Sequence, residues 1–338
     1  MSELLRLKDF SVSFRTYLGE VQAVREVNLT VHAGERVAIV GESGCGKSVM
    51  TQSVVQLLPP PAFIRGGQVF YDGREITHYT FSQLKQIKGK EIAYIFQNPM
   101  SSLNPTLRIG RQIMEGLRAH FPLTHDAARS GALALLTEVG IPNPEKRFEQ
   151  YPYQLSGGMC QRVMIAMAIA MRPKLLIADE PTTALDVTIQ SQILGILKRL
   201  SEQHSMALLL ITHNMGIVAG MAQRVAVMYG GCIVESGDVL DIFEKTLHPY
   251  TSSLLNSVPR LNENSREPLA YIIGTPPDLL DPAQGCPFAP RCRFSMQVCF
   301  EEMPRHTLAD EGHTAACWLL DKRAGQQTRA FMMSRARR

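Results

Sequence analysis

The stretch Arg36-Val37-Ala38-Ile39-Val40-Gly41-Glu42-Ser43-Gly44-Cys45-Gly46-Lys47-Ser48 decides the fold. Its first five residues are a short apolar run of the kind that forms a strand buried on both faces. Val49 through Leu57 can continue as a helix. Between them, Gly41, Gly44 and Gly46 let the backbone curl so that amide N–H groups face inward, and the helix N-terminus adds partial positive charge at the same place. Strand, glycine-rich turn and helix in that order make a cradle for a polyphosphate. The cradle is expected to span Gly41, Glu42, Ser43, Gly44, Cys45, Gly46, Lys47, Ser48 and Val49. Lys47 would reach the β- and γ-phosphates, and the Ser48 hydroxyl would ligate the Mg2+ that bridges them. A helix N-terminus can lower the Cys45 thiol pKa and make it oxidisable, although a small filler residue is the simpler reading.

Outward from this stretch, apolar runs alternate with amphipathic stretches through the first 240 or so residues, the rhythm of an α/β protein with a mostly parallel sheet. The other buried strand candidates are 175–178, 207–211 and 225–228. The run Lys174-Leu175-Leu176-Ile177-Ala178 delivers Asp179 and Glu180 at its tip, where ligands of open α/β sheets bind. Asp179 can hold magnesium directly or through water, and Glu180 can polarise an attacking water as a general base. An acidic pair after a strand is often only a turn or a helix cap, so its meaning comes from pairing with the phosphate cradle. Together they indicate nucleotide hydrolysis.

Leu155-Ser156-Gly157-Gly158-Met159-Cys160-Gln161-Arg162 resembles the signature of ATP-binding cassette (ABC) ATPases. Further landmarks of that family follow in order: Gln97 after Tyr94-Ile95-Phe96, Ala184-Leu185-Asp186 after the carboxylates, and His213 after the strand 207–211. Ser156 suits an N-cap of a helix 156–171 ended by Pro173, but the two glycines suit close backbone approach to a ligand. The resemblance implies that Ser156, Gly157 and Gly158 bind the γ-phosphate held by a partner subunit, so that two ATP molecules are sandwiched in a dimer. It also implies that Gln97 contacts magnesium and water, that His213 supports Glu180 at the γ-phosphate, and that Asp186 lies at the dimer seam. Phe14 aligns with the family's adenine-stacking aromatic; core packing competes for it, and Tyr17 is close by. Cys160 and Asn214 stand where the family more often has Arg and Asp.

The expected fold class is therefore α/β: a P-loop ATPase core of ABC type (1–97 and 154–250) with an inserted α-helical subdomain (98–153). The helical stretch 127–139 is the clearest part of that insert. After about Tyr250 come the prolines Pro259, Pro268, Pro276, Pro277, Pro282, Pro287 and Pro290, then Cys286, Cys292, Cys299 and Cys317. This reads as a small Cys-rich C-terminal domain, 251–321. Four thiols so spaced can bind zinc or an iron–sulfur cluster; no Cys-x2-Cys turn is present, and the wider spacing suits the bulkier cluster. Residues 322–338 form a basic tail, read as frayed, with contact to anionic lipid as the alternative.

His248-Pro249-Tyr250-Thr251, Leu254-Leu255 and Gly285-Cys286-Pro287-Phe288-Ala289-Pro290-Arg291-Cys292 are similar to the C-terminal region of the oligopeptide and dipeptide permease ATPases. That resemblance implies a [4Fe-4S] cluster on the four cysteines, with zinc the alternative. It implies a second, distinct ABC ATPase as partner in a heterodimer, two membrane permeases, and indirectly a substrate-binding protein. A permease helix would enter a groove near Gln97 and Met100–Pro105. Nickel or another solute is the alternative cargo, and a soluble non-transport ABC ATPase the more distant reading.

Composition sets the outer limits. The 338 residues allow about two domains, and 45% hydrophobic with 20% charged residues excludes a mostly disordered chain. Lys plus Arg is 35 against 31 for Asp plus Glu, and a net charge of +4 points to no nucleic acid partner. No apolar run reaches the roughly eighteen residues of a spanning helix, and the start Met1-Ser2-Glu3-Leu4-Leu5-Arg6 lacks signal-peptide character. The chain is expected on the cytoplasmic face of the membrane, held there through its permeases.

Overall fold

A computed structural model describes residues 2–183, 185–257, 272–310 and 312–336. The chain divides into two compact units, the first comprising Met1–Leu4, Val31–Arg36 and His78–Ile211, the second Leu5–Thr30, Val37–Thr77 and Thr212–Arg338.

The first unit is built on three parallel strands, Ile92–Ile95, Leu175–Asp179 and Ala207–Thr212, with Ile95 opposite Ala178 and Asp179 opposite Ile211. Every residue of the last two strands is buried, which is why they read as unbroken apolar runs rather than alternating ones. Helices Pro99–Ser102, Ile109–His120, His125–Glu138 and Pro144–Phe148 follow one another with no strand between them. Thr124 caps the third by accepting the Ala127 N–H. Ile109, Ile113, Met114 and Leu117 bury one face of the second. Gly110 is required there, because a β-carbon would lie 2.4 Å from the Phe148 ring. The long helices Gly157–Ile169 and Val187–Gln203 flank the central strand in sequence. The predicted helix 156–171 ends two residues early, since Arg172 takes φ +53° before Pro173.

The second unit holds a four-stranded antiparallel sheet that the sequence reading did not foresee, in the order Gly19–His32, Glu3–Thr16, Ala62–Tyr71, Arg74–Glu75. Its first strand escaped notice because a register shift between Lys8 and Ser11, with Asp9 at φ +49°, breaks the strict alternation. The same unit contains Arg36–Val40, parallel to Arg224–Tyr229, followed outward by the antiparallel strands Cys232–Asp238, His313–Ala316 and His306–Asp310.

The apolar core of this unit shows no break at Tyr250. Ala38, Val40, Val225, Val227 and Tyr229 pack in one cluster with Tyr250, Leu254, Cys286, Phe288 and Ala289. The cysteine segment therefore shares its core with the strand that leads into the glycine-rich turn.

The C-terminal stretch corrects the expectation of a frayed tail. A helix runs Gly325–Ala336; Phe331 is buried with its ring 5.3 Å from that of Phe294, and the Thr328 hydroxyl donates to the Leu319 carbonyl at 2.7 Å. Burial of one aromatic side chain, about 2 kcal/mol, anchors an otherwise polar segment. Arg337 and Arg338 of the predicted basic tail, and Pro259 and Pro268 of the predicted proline-rich loops, lie outside the described residues. No helix among the described residues is long and apolar enough to cross a membrane.

Candidate functional site

In the second unit, the strand Arg36–Val40 ends in a turn packed so closely that glycine is obligatory at two positions. A β-carbon on Gly41 (φ +157°) would stand 2.1 Å from the Met228 carbonyl oxygen, and one on Gly46 (φ +101°) 2.2 Å from that of Ala23. Gly44 (φ +79°) instead faces open space, so its glycine serves conformation alone. The helix Lys47–Val54 begins directly on Gly46 with no side-chain cap, leaving its first N–H groups for a ligand. Lys47 is buried, and its ammonium donates to the carbonyls of Gly41 and Glu42 at 2.8 Å each. Ser48 and Val49 are partly exposed at the helix start, Ser43 is exposed, and the Cys45 thiol is buried. Burial raises the thiol pKa, and the nearby Lys47 ammonium only partly offsets this. Of the two readings of Cys45, burial and the raised pKa favour the simpler one, a small filler residue, over an activated thiol.

Two contacts to this turn come from far along the chain. The Glu42 amide N–H donates to the Tyr250 hydroxyl at 2.8 Å. The Arg291 guanidinium grips the Glu42 carboxylate with Nη1 at 2.6 Å and Nη2 at 3.0 Å. Sequence reasoning missed both as parts of this site. Tyr250 and Arg291 stood inside quoted C-terminal motifs, and nothing in a linear pattern reports which turn they reach.

In the first unit, parallel strands bring their C-terminal ends to one edge, where Gln97, Asp179 and Glu180 follow. Asp179 is buried and accepts the Tyr94 hydroxyl proton at 2.9 Å. Glu180 stands half-buried at φ +45°, a strained conformation costing roughly 1 kcal/mol or more that aims it out of the strand direction. Its Oε2 accepts from Gln97 Nε2 at 3.0 Å and from the Thr183 hydroxyl at 2.9 Å. Gln97 and Glu180, 83 residues apart, are thus brought together as a carboxylate and its orienting amide. Tyr94 and Thr183 were missed as partners; Tyr94 lies within the tripeptide that flagged Gln97.

Ser156 caps the helix Gly157–Ile169, its hydroxyl accepting the Met159 N–H at 3.3 Å. Ser156 and Gly157 are exposed, while a β-carbon on Gly158 would meet Ile189 at 2.7 Å. Cys160, in place of the family's more frequent Arg, is fully buried against the Pro152 carbonyl, 3.5 Å away. Arg162 instead reaches out, donating to the Val139 and Gly140 carbonyls and to Gln192. Asp186 is exposed and caps Val187–Gln203 through the Ile189 N–H at 2.9 Å.

Back in the second unit, His213 is exposed after the strand end, and Asn214 caps the helix Met215–Met221 by accepting the Gly216 N–H at 2.9 Å. An Asn caps as well as an Asp, which accounts for that departure from the family pattern. Phe14 is half-buried and stands opposite Ala62 in the antiparallel sheet, while Tyr17 at the hairpin turn is almost wholly exposed.

The four C-terminal cysteines are unpaired by disulfides. Burial pushes the Cys286 thiol up to about 12 and Cys292 to about 11, and Cys317 higher still; each is raised further by the charges of its cysteine neighbours. All four thiols therefore lie within electrostatic reach of one another. The Cys286 N–H donates to the Cys299 carbonyl at 2.8 Å, closing the segment into a loop. Among the described residues no three His, Cys, Asp or Glu side chains converge closely enough to hold a metal ion.

Comparison with known proteins matches residues 24–183 to the ABC transporter family and residues 234–299 to the oligopeptide/dipeptide transporter C-terminal region. The chain is 49% identical over 321 residues to the oligopeptide transport ATP-binding protein OppD of Bacillus subtilis (strain 168), covering 95% of this chain and 90% of that one. It is 50% identical over 325 residues to the dipeptide transport ATP-binding protein DppD of the same organism, covering 96% and 97%. Among solved structures, the ATP-binding cassette MJ0796, dimeric in a post-hydrolysis state bound to ADP and Pi, superposes with a TM-score of 0.64. It is 27% identical, covering 70% of this chain and 99% of that one.

Proposed function

The chain belongs to the ATP-binding proteins of oligopeptide and dipeptide ABC transporters, and from that premise we propose how its residues share the work. It is the ATP-hydrolysing subunit of a peptide importer: ATP closes it into a dimer, and hydrolysis reopens the dimer. The observation that carries the chemistry is Glu180, held on strained backbone at a strand end by Gln97 and Thr183.

Glu180 is the general base, taking a proton from the attacking water at its carboxylate oxygen, and Gln97 orients that water. Lys47, whose ammonium also donates to the Gly41 and Glu42 carbonyls, holds the phosphates together with the amides of 41–49 other than that of Glu42, whose N–H is donated to the Tyr250 hydroxyl. Ser48, Asp179 and Gln97 are oxygen donors of the kind magnesium takes, and that ion supplies charge neutralisation at the phosphates. Tyr94 keeps Asp179 oriented. His213 acts at the γ-phosphate, and Ser156, Gly157 and Gly158 present a capped but exposed helix start to the nucleotide of the partner subunit. Asp186 lies at the dimer seam. Phe14 stacks on adenine, with core packing as the competing role for its half-buried ring and the exposed Tyr17 close by.

The partner is a second, related ATPase, and both sit on the cytoplasmic face through two permeases supplied by a substrate-binding protein. Residues 98–153 serve as the helical subdomain that meets the permease, and 251–321 as the Cys-rich C-terminal domain. Cys286, Cys292, Cys299 and Cys317 would be the ligands of a [4Fe-4S] cluster. The support for the cluster over zinc is the wide spacing of the four cysteines, with no Cys-x2-Cys turn among them. Its contribution would be to hold the segment together.

Glu180→Gln tests this. Steady hydrolysis should fall at least about 100-fold while ATP is retained and a closed dimer accumulates with its permeases. Hydrolysis near the wild-type rate would remove Glu180 from the mechanism, and failure to co-purify with permeases would remove transport.

A further inference from the structure

Glu42 is the only acidic residue between Gly41 and Ser48. A carboxylate in a turn that receives polyphosphate would repel its ligand, and the repulsion grows where solvent is excluded. The structure shows what answers it. Arg291, 249 residues away in sequence, takes both Glu42 oxygens in a bidentate grip at 2.6 and 3.0 Å. Its other N–H groups are committed as well: Nη1 to the Tyr229 hydroxyl at 3.0 Å, Nη2 to the Ile272 carbonyl at 3.0 Å, and Nε to the Ile273 carbonyl at 2.9 Å. All five donors of the guanidinium are thereby used, and its side chain is only 5% exposed.

Arg291 is also fixed from behind. It ends the short turn Ala289–Arg291 between Cys286 and Cys292, where its N–H donates to the Phe288 carbonyl at 3.0 Å and the Cys292 N–H to the Ala289 carbonyl at 3.2 Å. The Ala289 N–H in turn donates to the Cys286 carbonyl at 3.0 Å. The cysteine segment thus presents one rigid cation to the phosphate turn.

We propose that Arg291 is a positioning residue for nucleotide binding: carried by the four-cysteine segment, it neutralises Glu42 and draws its carboxylate aside, so that the turn offers the phosphates no negative charge. The inference rests on the ATP reading above. Lysine could not replace the arginine fully, because a single ammonium cannot span both oxygens while meeting the Tyr229 hydroxyl and two carbonyls.

Equilibrium binding of Mg·ATP and Mg·ADP to the full chain, with Arg291→Gln, Glu42→Gln and the double variant, tests it. Arg291→Gln should weaken ATP about tenfold and ADP less, because ATP carries the additional charge, and the double variant should recover to within about twofold of wild type. Arg291→Lys should fall between. Wild-type affinity in Arg291→Gln overturns the proposal, as does a double variant as weak as the single one, or equal losses for ATP and ADP. If Arg291→Gln does not fold, Glu42→Gln decides: the unmasked arginine should tighten ATP and steepen its salt dependence, and no change in either overturns the proposal. A wild-type chain that binds no ATP would overturn the ATP reading along with this one.

Discussion

In the second unit the phosphate turn is fixed by what crowds it: backbone carbonyls stand where β-carbons of Gly41 and Gly46 would be, and Tyr250 and Arg291 hold Glu42 from distant sequence. In the first unit the carboxylate edge is held by side chains reaching across strand ends, Tyr94 to Asp179 and Gln97 to Glu180, by Thr183 from the turn just after Glu180, and by exposed caps at Ser156 and Asp186. On the proposed assignment, binding and turnover are supported differently: the turn that would receive phosphates is overdetermined by packing, whereas the carboxylate that would meet water is held by exchangeable hydrogen bonds. Substitutions at the crowded glycines Gly41 and Gly46 should therefore damage folding and binding together, and substitutions at the edge should damage turnover first.

The largest expected effect in that comparison is at Gly46. Alanine there meets the Ala23 carbonyl in a conformation L-residues avoid, at a cost of about 4 kcal/mol from strain and overpacking together. A thermal melt alongside ATP titration should show both stability and binding lost; a variant that melts normally would break the claim of a crowded turn.

Next comes acid. His248 is buried, and its Nδ1 accepts the Tyr250 N–H at 3.1 Å, which a protonated ring nitrogen cannot do. Burial lowers its pKa to about 4, with Glu235 opposing and His306 adding to the shift. The unfolded chain then binds the proton first, so stability present above about pH 6.5 is lost as pH falls toward about 4. The loss is on the order of 3 kcal/mol. Denaturant titrations across that window should show the slope, and His248→Asn, which keeps a cap, should flatten it. A slope that survives the replacement would assign the acid sensitivity elsewhere.

The smallest effect belongs to the first unit. Ser156→Ala removes a cap at an exposed helix start and should cost about 1 kcal/mol. Hydrolysis by the assembled complex should fall further than that loss accounts for. If stability and hydrolysis drop in proportion, Ser156 is a cap and nothing more.

The amino-acid sequence was sufficient for local backbone: a buried strand 36–40, a glycine-rich turn and a helix in consecutive residues, and Asp179-Glu180 at the end of a strand whose residues 175–178 are all buried. Apolar runs, glycines and caps report such local requirements directly. Tertiary structure alone decided the partnerships between remote segments: Arg291 with Glu42, Tyr250 with the same turn, Tyr94 with Asp179, and Gln97 with Glu180. It also decided that Cys45 and Cys160 are buried, inert thiols, that 325–336 is a helix anchored by Phe331, and that the cysteine segment shares the core of the phosphate strand. The physical reason is that burial and hydrogen-bond pairing depend on which chain segments are brought within a few ångströms, and residue type and spacing do not specify distance between remote segments.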